Sequence, residues 1–193
     1  VTASQTTRPE WVVQIEGKVN EPPEKMRTEG LNGNVELEAT GITVLSQAQE
    51  LPFEKDAEVN LDTHLDNLPL TLRTVRNQEI FKIQATIIQA FRDSLRSQEF
   101  TEFQAPALVG GDAEGGAAVF SVDYYYDHKA YLATSPQFYK QIMTGALERA
   151  FTIAKVFRAE KSATTRHISE ITQMDFEMAF IKDETEVMKE LQT

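Results

Sequence analysis

The sequence contains no cysteine, no long apolar run and no glycine-rich phosphate loop, and each absence excludes a class of protein. Without cysteine among 193 residues, the chain has no disulfide framework, zinc–thiolate site or thiol nucleophile, which fits a reducing compartment. No apolar run approaches the roughly 20 residues of a membrane span, so no membrane partner is expected. The absence of a Walker loop and of a GxGxxG segment excludes the usual nucleotide cradles.

Acidic residues outnumber basic ones by 30 to 19, which gives a formal net charge of −11. Because phosphate neutralisation dominates affinity for nucleic acids, a chain this acidic is a poor general nucleic-acid binder unless a local basic patch exists. The acidity is therefore interpreted first as a contribution to solubility.

Alternating apolar residues predict a small β unit over residues 11–46. The alternation runs from Trp11 to Val19 and again from Val35 to Ala39, which is the period of a strand with one covered face. Residues 47–76 contain two prolines and many Asp and Asn residues. This segment is predicted to be a hinge or linker.

The remaining patterns alternate between helical and extended, and they predict an α+β fold. Ser135-Pro136 is a good helix start, because serine favours the N-cap and proline the first helical position. The predicted elements are a helix over Gln78–Ser97, paired strands over Val119–Asp127 and Lys129–Thr134, a helix from Ser135 to about Ala150, a strand pair within Val156–Phe180, and a helix over Glu184–Leu191.

The predicted strand pair presents two different faces. Arg158 and Glu160 are two residues apart and share one face of the first strand. In the second strand one face carries apolar side chains and the other polar ones, with Thr172, Met174, Phe176, Met178 and Phe180 opposite Ile171, Gln173, Asp175, Glu177 and Ala179. A polar platform on a rigid sheet suits ligand positioning. The alternative is an ordinary solvated antiparallel sheet.

Charged groups around this strand pair predict a site for a nucleotide and an amino acid. Arg158 with Lys161, Arg166 and His167 forms a cationic cluster that suits a polyphosphate; the alternative is a set of surface cations. Gln137 and Lys140 share a face near a helix N-terminus, which favours a small carboxylate. A carboxylate in the glycine-rich segment GGDAEGGA, Glu114, suits an ammonium group, although this segment could also be a solvent loop.

Four segments carry a resemblance to a known family. FRAExxxxxRHxxE, Phe157 to Glu170, resembles motif 2 of the class II aminoacyl-tRNA synthetases, in the form of the subclass (IIb) with aspartyl, asparaginyl and lysyl enzymes. The segment from Phe91 to Leu108 resembles motif 1, with Pro106 as the motif proline. EGGAAVF and YLATSPQFYKQ are similar to aspartyl-tRNA synthetases of the archaeal and eukaryotic-like type.

The resemblance implies a domain organisation. Residues 77–193 would form a partial class II catalytic domain, an antiparallel sheet flanked by helices with motifs 1 and 2 but without motif 3. Residues 47–76 would be the hinge, and residues 1–46 the C-terminal part of an OB-type β-barrel that binds the anticodon. The chain is expected to be a fragment of a larger synthetase, truncated at both ends and inactive alone.

The resemblance also implies site residues. For ATP, Arg158 would be the catalytic residue on the α-phosphate, Glu160 would bind the adenine, and Arg166 and His167 the outer phosphates. For aspartate, the implied residues are Glu114, Ser135 and Gln137 on the α-ammonium, and Lys140 supported by Asp175 on the side-chain carboxylate.

The implied reaction is ATP-dependent activation of L-aspartate to aspartyl-adenylate, followed by transfer to tRNA-Asp, with tRNA-Asn left open as a second acceptor. The aspartate α-carboxylate would attack the α-phosphorus in line and pyrophosphate would leave. The Mg²⁺ ligands are expected outside this chain, so no metal site is expected within it. A cytoplasmic homodimer with Pro106 at its interface is also implied.

Three alternatives remain beside this interpretation. The asparaginyl enzymes typically carry glutamate where Lys140 stands; lysine donates to a carboxylate, whereas glutamate accepts from an amide, so Lys140 favours aspartate. A tRNA-independent, aspartate-activating paralogue would share the same core. A non-enzymatic binding or dimerisation module would fit the missing motif 3.

Overall fold

The computed structural model describes residues 7–54, 57–111, 113, 118–161, 164 and 166–192. It divides into two compact units, Val1–Thr74 and Val75–Thr193. In the described residues, no helix is both long enough and apolar enough to cross a membrane.

The first unit contains an antiparallel strand pair, as the sequence alternation predicts. Strands β1 (Val12–Asn20) and β2 (Glu36–Ser46) pair along their length. The register shifts after Glu16, and a Cβ on Gly17 would lie 2.5 Å from the carbonyl oxygen of Glu38, so only glycine fits this bulge. Among the described residues these two strands do not close a barrel, and the OB assignment stays a prediction.

The segment predicted as a hinge contains two short helices, α1 (Leu61–Asp66) and α2 (Leu68–Thr71). The side chain of Asn60 accepts a hydrogen bond from the Thr63 amide at 2.8 Å, which caps α1. The many Asp and Asn residues predicted a linker here. Asparagine is also a good N-cap, so Asn60 before a leucine-rich segment was a helix signal that this prediction missed.

The second unit is a mixed α+β structure, which confirms the predicted fold class. Its elements are α3 (Val75–Ser97), β3 (Thr101–Glu102), β4 (Leu108–Val109), β5 (Ser121–Asp123), β6 (Lys129–Leu132), α4 (Gln137–Leu147), β7 (Arg149–Phe157), β8 (Glu170–Met178) and α5 (Glu184–Glu190). Short 3₁₀ turns occur at Glu24–Met26 in the first unit and at Tyr125–Asp127 in this one. The described strands of this unit form two sheets, ordered β3-β7-β8 and β4-β6-β5.

The core of this unit lies between α3 and one face of the β7–β8 pair. Leu95, Phe100 and Phe151 are buried, and Phe91 and Phe176 pack on them with Met178. The rings of Phe91 and Phe151 meet edge to face with centroids 5.8 Å apart, a favourable geometry for aromatic pairs. Phe176 and Met178 therefore lie on the apolar face that the alternation predicts.

Two predicted boundaries are wrong, and one helix leaves apolar side chains exposed. Helix α4 ends at Leu147 rather than near Ala150, because Glu148 has a φ of 61° and the chain then enters β7. Phe180 follows the end of β8 with a φ of 58° and is 86 % exposed, so it is not part of the apolar face. The N-terminal half of α3 leaves its apolar stripe exposed, including Ile80 and Phe81.

Candidate functional site

The first turn of α4 fixes the position of Lys140. The Ser135 hydroxyl oxygen accepts a hydrogen bond from the Gln137 amide at 3.2 Å, so Ser135 satisfies a donor of the helix N-terminus. Pro136 occupies the N-cap position, whereas the sequence predicts it at the first helical position. Helix α4 therefore begins one residue later than predicted. The Lys140 amide closes the first turn on the Pro136 carbonyl at 3.0 Å, which directs Lys140 toward the sheet.

The sheet beneath α4 presents its polar face to this lysine. In the antiparallel register, Phe151 pairs with Phe176 on the core face, whereas Thr152 pairs with Asp175 on the other face. Glu177 shares that face with Asp175, because successive strand residues alternate between faces. The register confirms the two faces predicted from the sequence, but on the apolar face only Phe176 and Met178 pack on the core, because Met174 is 40 % exposed.

Lys140 and two carboxylates form the centre of the site. The Lys140 ammonium nitrogen lies 3.5 Å from Glu177 Oε2 and 3.8 Å from Asp175 Oδ2. The lysine side chain is 10 % exposed and the carboxylates are 24 % and 29 % exposed. One positive and two negative formal charges are thus held together in a largely desolvated position, where a carboxylate that reaches Lys140 meets a strong donor.

The sequence places two further residues on this face without giving them a role in the site. Glu177 makes the shorter contact to Lys140, although only Asp175 was given a role; the spacing of two between them was the available signal. The other is Gln173, whose side-chain oxygen is buried and has no hydrogen-bond partner among the described residues. A buried acceptor of this kind can receive a ligand donor.

Arg158 lies directly after β7 and not within it. Its amide donates to the Ser169 carbonyl at 3.0 Å, and the amide of Ala159 donates to the Ala118 carbonyl at 2.8 Å. These bonds hold an extended segment at the base of the β7–β8 loop and leave Arg158 half-buried. Glu160, predicted to continue the strand, is exposed in the loop.

The other predicted phosphate ligands lie in the same loop. The Thr164 hydroxyl and His167 Nδ1 are hydrogen-bonded at 2.7 Å, and the Arg166 amide donates to the Thr164 hydroxyl at 3.2 Å. Arg166, His167 and Lys161 are exposed. Within the described chain, neither Arg166 nor His167 contacts the Lys140 cluster.

Two further predicted residues have different outcomes. Pro106 is exposed in the irregular segment before β4, where it is accessible to a partner. Glu114 lies outside the described residues, so its predicted contact with an ammonium group stays a prediction.

A small cavity adjoins the start of α4. It has a volume of about 230 Å³ and is lined mostly by apolar groups, among them Gly110, Gly111, Phe138 and Ile142. Ser135 lines it, whereas Lys140 does not. The cavity therefore borders the charged site and does not contain its chemistry.

Among the described residues, no cluster of three or more His, Asp or Glu side chains occurs that could hold a metal ion. The described residues by themselves therefore supply no such ligand set for Mg²⁺.

The chain is similar to several synthetases over nearly its whole length. It is 43 % identical over 180 residues to the aspartate–tRNA(Asp/Asn) ligase of Deinococcus radiodurans, covering 91 % of this chain and 40 % of that protein. It is 40 % identical over 198 residues to the human cytoplasmic aspartate–tRNA ligase, covering 94 % and 39 %. The chain thus spans about two fifths of the length of these relatives.

A solved structure and a family model agree with these similarities. The asparaginyl-tRNA synthetase of Pyrococcus horikoshii, complexed with asparaginyl-adenylate, superposes with a TM-score of 0.81 at 31 % identity, covering 97 % of this chain and 42 % of that one. Residues 60–193 match the family described as tRNA synthetases class II (D, K and N). The chain therefore belongs to the class II tRNA synthetases of the D, K and N group.

Proposed function

We propose that the protein containing this chain is an aspartate–tRNA ligase, which activates L-aspartate with ATP and transfers the aspartyl group to tRNA. The observation that carries this proposal is the position of Lys140, largely buried at the start of α4 and held by Asp175 and Glu177. The names of the two curated relatives support it.

Lys140 supplies the preference for an acidic side chain. An ammonium group has three N–H donors and no acceptor, so it binds the carboxylate of aspartate and leaves the NH₂ group of asparagine unsatisfied. The α4 N-terminus adds partial positive charge on the same side. Asp175 and Glu177 hold the lysine in place, which limits the entropy lost when the substrate binds.

The α-ammonium of aspartate requires acceptors. Gln173 has a buried side-chain oxygen without a partner among the described residues, and Ser135 and Gln137 lie one turn before Lys140. Glu114 is the proposed counter-charge. These acceptors would orient the α-carboxylate of the substrate toward the nucleotide.

The β7–β8 loop is the proposed ATP site. Arg158 would hold the α-phosphate as the catalytic residue, with Glu160 on the adenine and Arg166 and His167 on the outer phosphates. An α-carboxylate oxygen attacks the α-phosphorus, the bond from this phosphorus to the bridging oxygen breaks, and pyrophosphate leaves. A tRNA hydroxyl then attacks the acyl carbon of aspartyl-adenylate and AMP leaves. Positioning and charge stabilisation by Arg158 supply the catalysis.

The larger organisation follows the same proposal. Residues 1–46 would belong to an OB-type anticodon-binding domain, residues 47–76 to the hinge and residues 77–193 to the catalytic domain. The partners would be tRNA-Asp, with tRNA-Asn as a second acceptor, and a second copy of the protein in contact through Pro106. Cytoplasmic location would match the human relative.

An asparaginyl enzyme is the second candidate, because the Pyrococcus horikoshii structure is similar over 97 % of this chain. Lys140 argues against it, since a lysine cannot accept a hydrogen bond from an amide. The choice between the two candidates therefore depends on one side chain.

ATP–pyrophosphate exchange with the full-length protein tests the proposal. We expect exchange with aspartate and at least roughly 10³-fold less with asparagine, because a site built on charge matching strongly rejects the uncharged isostere. Lys140→Met, which keeps the length of the side chain, should abolish this preference. Exchange driven by asparagine and not by aspartate would overturn the proposal.

A further inference from the structure

Thr152 lies at the centre of the sheet face that α4 covers. Its side chain is 0 % exposed, and the β7–β8 register places it directly opposite Asp175. Ala150 and Ala154, its neighbours on the same face of β7, end in methyl groups. Thr152 is therefore the polar group that this part of β7 contributes beside the Lys140 cluster.

The hydroxyl of Thr152 is buried and makes no hydrogen bond in the described structure. Its oxygen is shielded from solvent and has no hydrogen-bond partner among the residues that the structure describes. A buried hydroxyl without a partner lowers stability, whereas valine has nearly the same shape and avoids this cost. A threonine at this position points to a bond that forms in another state of the site.

We propose that Thr152 is a positioning residue for aspartate, whose hydroxyl donates to the Asp175 carboxylate when Lys140 engages the substrate. Directly opposed residues of an antiparallel pair have Cβ atoms about 4.5–5.5 Å apart, so a change of side-chain rotamer brings the hydroxyl within reach. The inference rests on the proposed function.

The charges around Lys140 explain why Thr152 would donate to Asp175 only when the substrate is bound. Lys140 is shared between Asp175 at 3.8 Å and Glu177 at 3.5 Å. A substrate carboxylate competes for the same ammonium protons, which leaves the partly buried Asp175 carboxylate, 24 % exposed, with less compensation. A hydrogen bond donated by the Thr152 hydroxyl then replaces the interaction with Lys140 that the Asp175 carboxylate loses. The bond therefore forms with the substrate and contributes to its affinity.

Two substitutions in the full-length protein separate this role from a packing role. In aspartate-dependent ATP–pyrophosphate exchange, Thr152→Val should raise KM for aspartate roughly ten- to hundredfold, the value of a hydrogen bond to a charged group, with little change in kcat. Thr152→Ser, which keeps the hydroxyl, should stay within about threefold of wild type. Thr172→Val is the matched control on the exposed opposite face of β8, and its KM should be unchanged.

Stability provides a second readout. Without ligand, Thr152→Val should melt at or above the wild-type temperature, because no bond is lost in the ligand-free state, while the rise in Tm on adding aspartate should shrink. A fall in the ligand-free Tm with an unchanged KM would show a packing role and overturn the inference.

The assignment to Asp175 has its own test. In an Asp175→Ala background, Thr152→Val should raise KM by less than about threefold, since the acceptor is already absent. The same tenfold or larger effect in that background would overturn the assignment, because Thr152 would then act without Asp175. A wild-type protein that shows no aspartate-dependent exchange would instead overturn the proposed function, and this inference with it.

Discussion

The Lys140 ammonium nitrogen lies closer to Glu177 Oε2, at 3.5 Å, than to Asp175 Oδ2, at 3.8 Å, on the polar face of β8. Glu177 therefore belongs to the same electrostatic unit as Asp175. The two carboxylates are two residues apart on β8 and hold one lysine between them, so substitutions at either position should be analysed together with Lys140.

Glu177→Gln should lower the free energy of unfolding by about 1 kcal/mol, because it removes one ion pair whose groups are partly exposed. The preference for aspartate over asparagine should persist, since the charge on Lys140 is retained. Urea denaturation and pyrophosphate exchange measure the two effects. Loss of the aspartate preference in this variant would assign to Glu177 a role that we give to Lys140.

Arg158→Lys should lower kcat for pyrophosphate exchange by roughly 10²-fold or more, because lysine keeps the charge and loses the planar fork that binds two phosphate oxygens. Lys155→Ala is a matched control, since its exposed side chain pairs with Glu170 at 3.0 Å on the opposite face of the strand pair. The control should retain near wild-type kcat. Equal losses in both variants would contradict a specific role for Arg158.

Glu102 joins the end of α3 to β3 through two arginines. Its side chain is 13 % exposed and lies 3.0 Å from Arg92 and 2.6 Å from Arg96. Glu102→Gln should lower the free energy of unfolding by about 1–3 kcal/mol, less than for a fully buried pair because both arginines are partly exposed. The midpoint of urea unfolding followed by circular dichroism measures this. Glu99→Gln, at an exposed position nearby, should leave the midpoint unchanged.

Helix α5 should lose protection from hydrogen exchange in acid. Hydrogen bonds from the Thr185 side chain and amide hold the pKa of Asp183 below its ordinary value of 3.8. Because the folded pKa is lowered, this carboxylate stabilises the helix start above the ordinary pKa, and the contribution is lost as the pH falls through the folded pKa. The protection factors of the amides in Glu184–Glu190, which correct for the pH dependence of intrinsic exchange, should therefore be constant near neutral pH and lower below about pH 4.

Asp183→Ser provides the control for this pH dependence. Serine is a good N-cap that does not titrate in this range, so the variant should keep the helix start and lose the acid sensitivity. An acid-induced loss of protection that is the same in this variant would assign the effect to other carboxylates.

Much of the site follows from local rules that act on the sequence. The alternation of β8 places Asp175 opposite the apolar face that carries Phe176, and the Ser135-Pro136 signal places Lys140 in the first turn of α4. These predictions depend on spacing along one element. The pairing of Lys140 with Glu177 depends on how α4 packs against β8, which spacing within either element does not encode.

Other features depended on interactions that the sequence does not display. The φ of 61° at Glu148 ends α4, although glutamate is a good helix former, because tertiary pairing of β7 overrides propensity. The missing hydrogen-bond partner of the Thr152 hydroxyl cannot be predicted from the sequence, since threonine in a strand normally indicates only β propensity. Exposure of Phe180 reflects the end of pairing at Met178.

Strand β7 has consequences for how this protein can change length. Phe151 packs in the core and Thr152, the next residue, lies beside the charged cluster, so a deletion or insertion of one residue within β7 would exchange their surroundings. Among the described residues of the loop between Phe157 and Glu170, and away from the proposed ATP ligands, a change in length would not shift this register. Sequence drift in length should therefore accumulate in that loop, and natural variants of the hairpin should differ there while the two strands keep their number of residues.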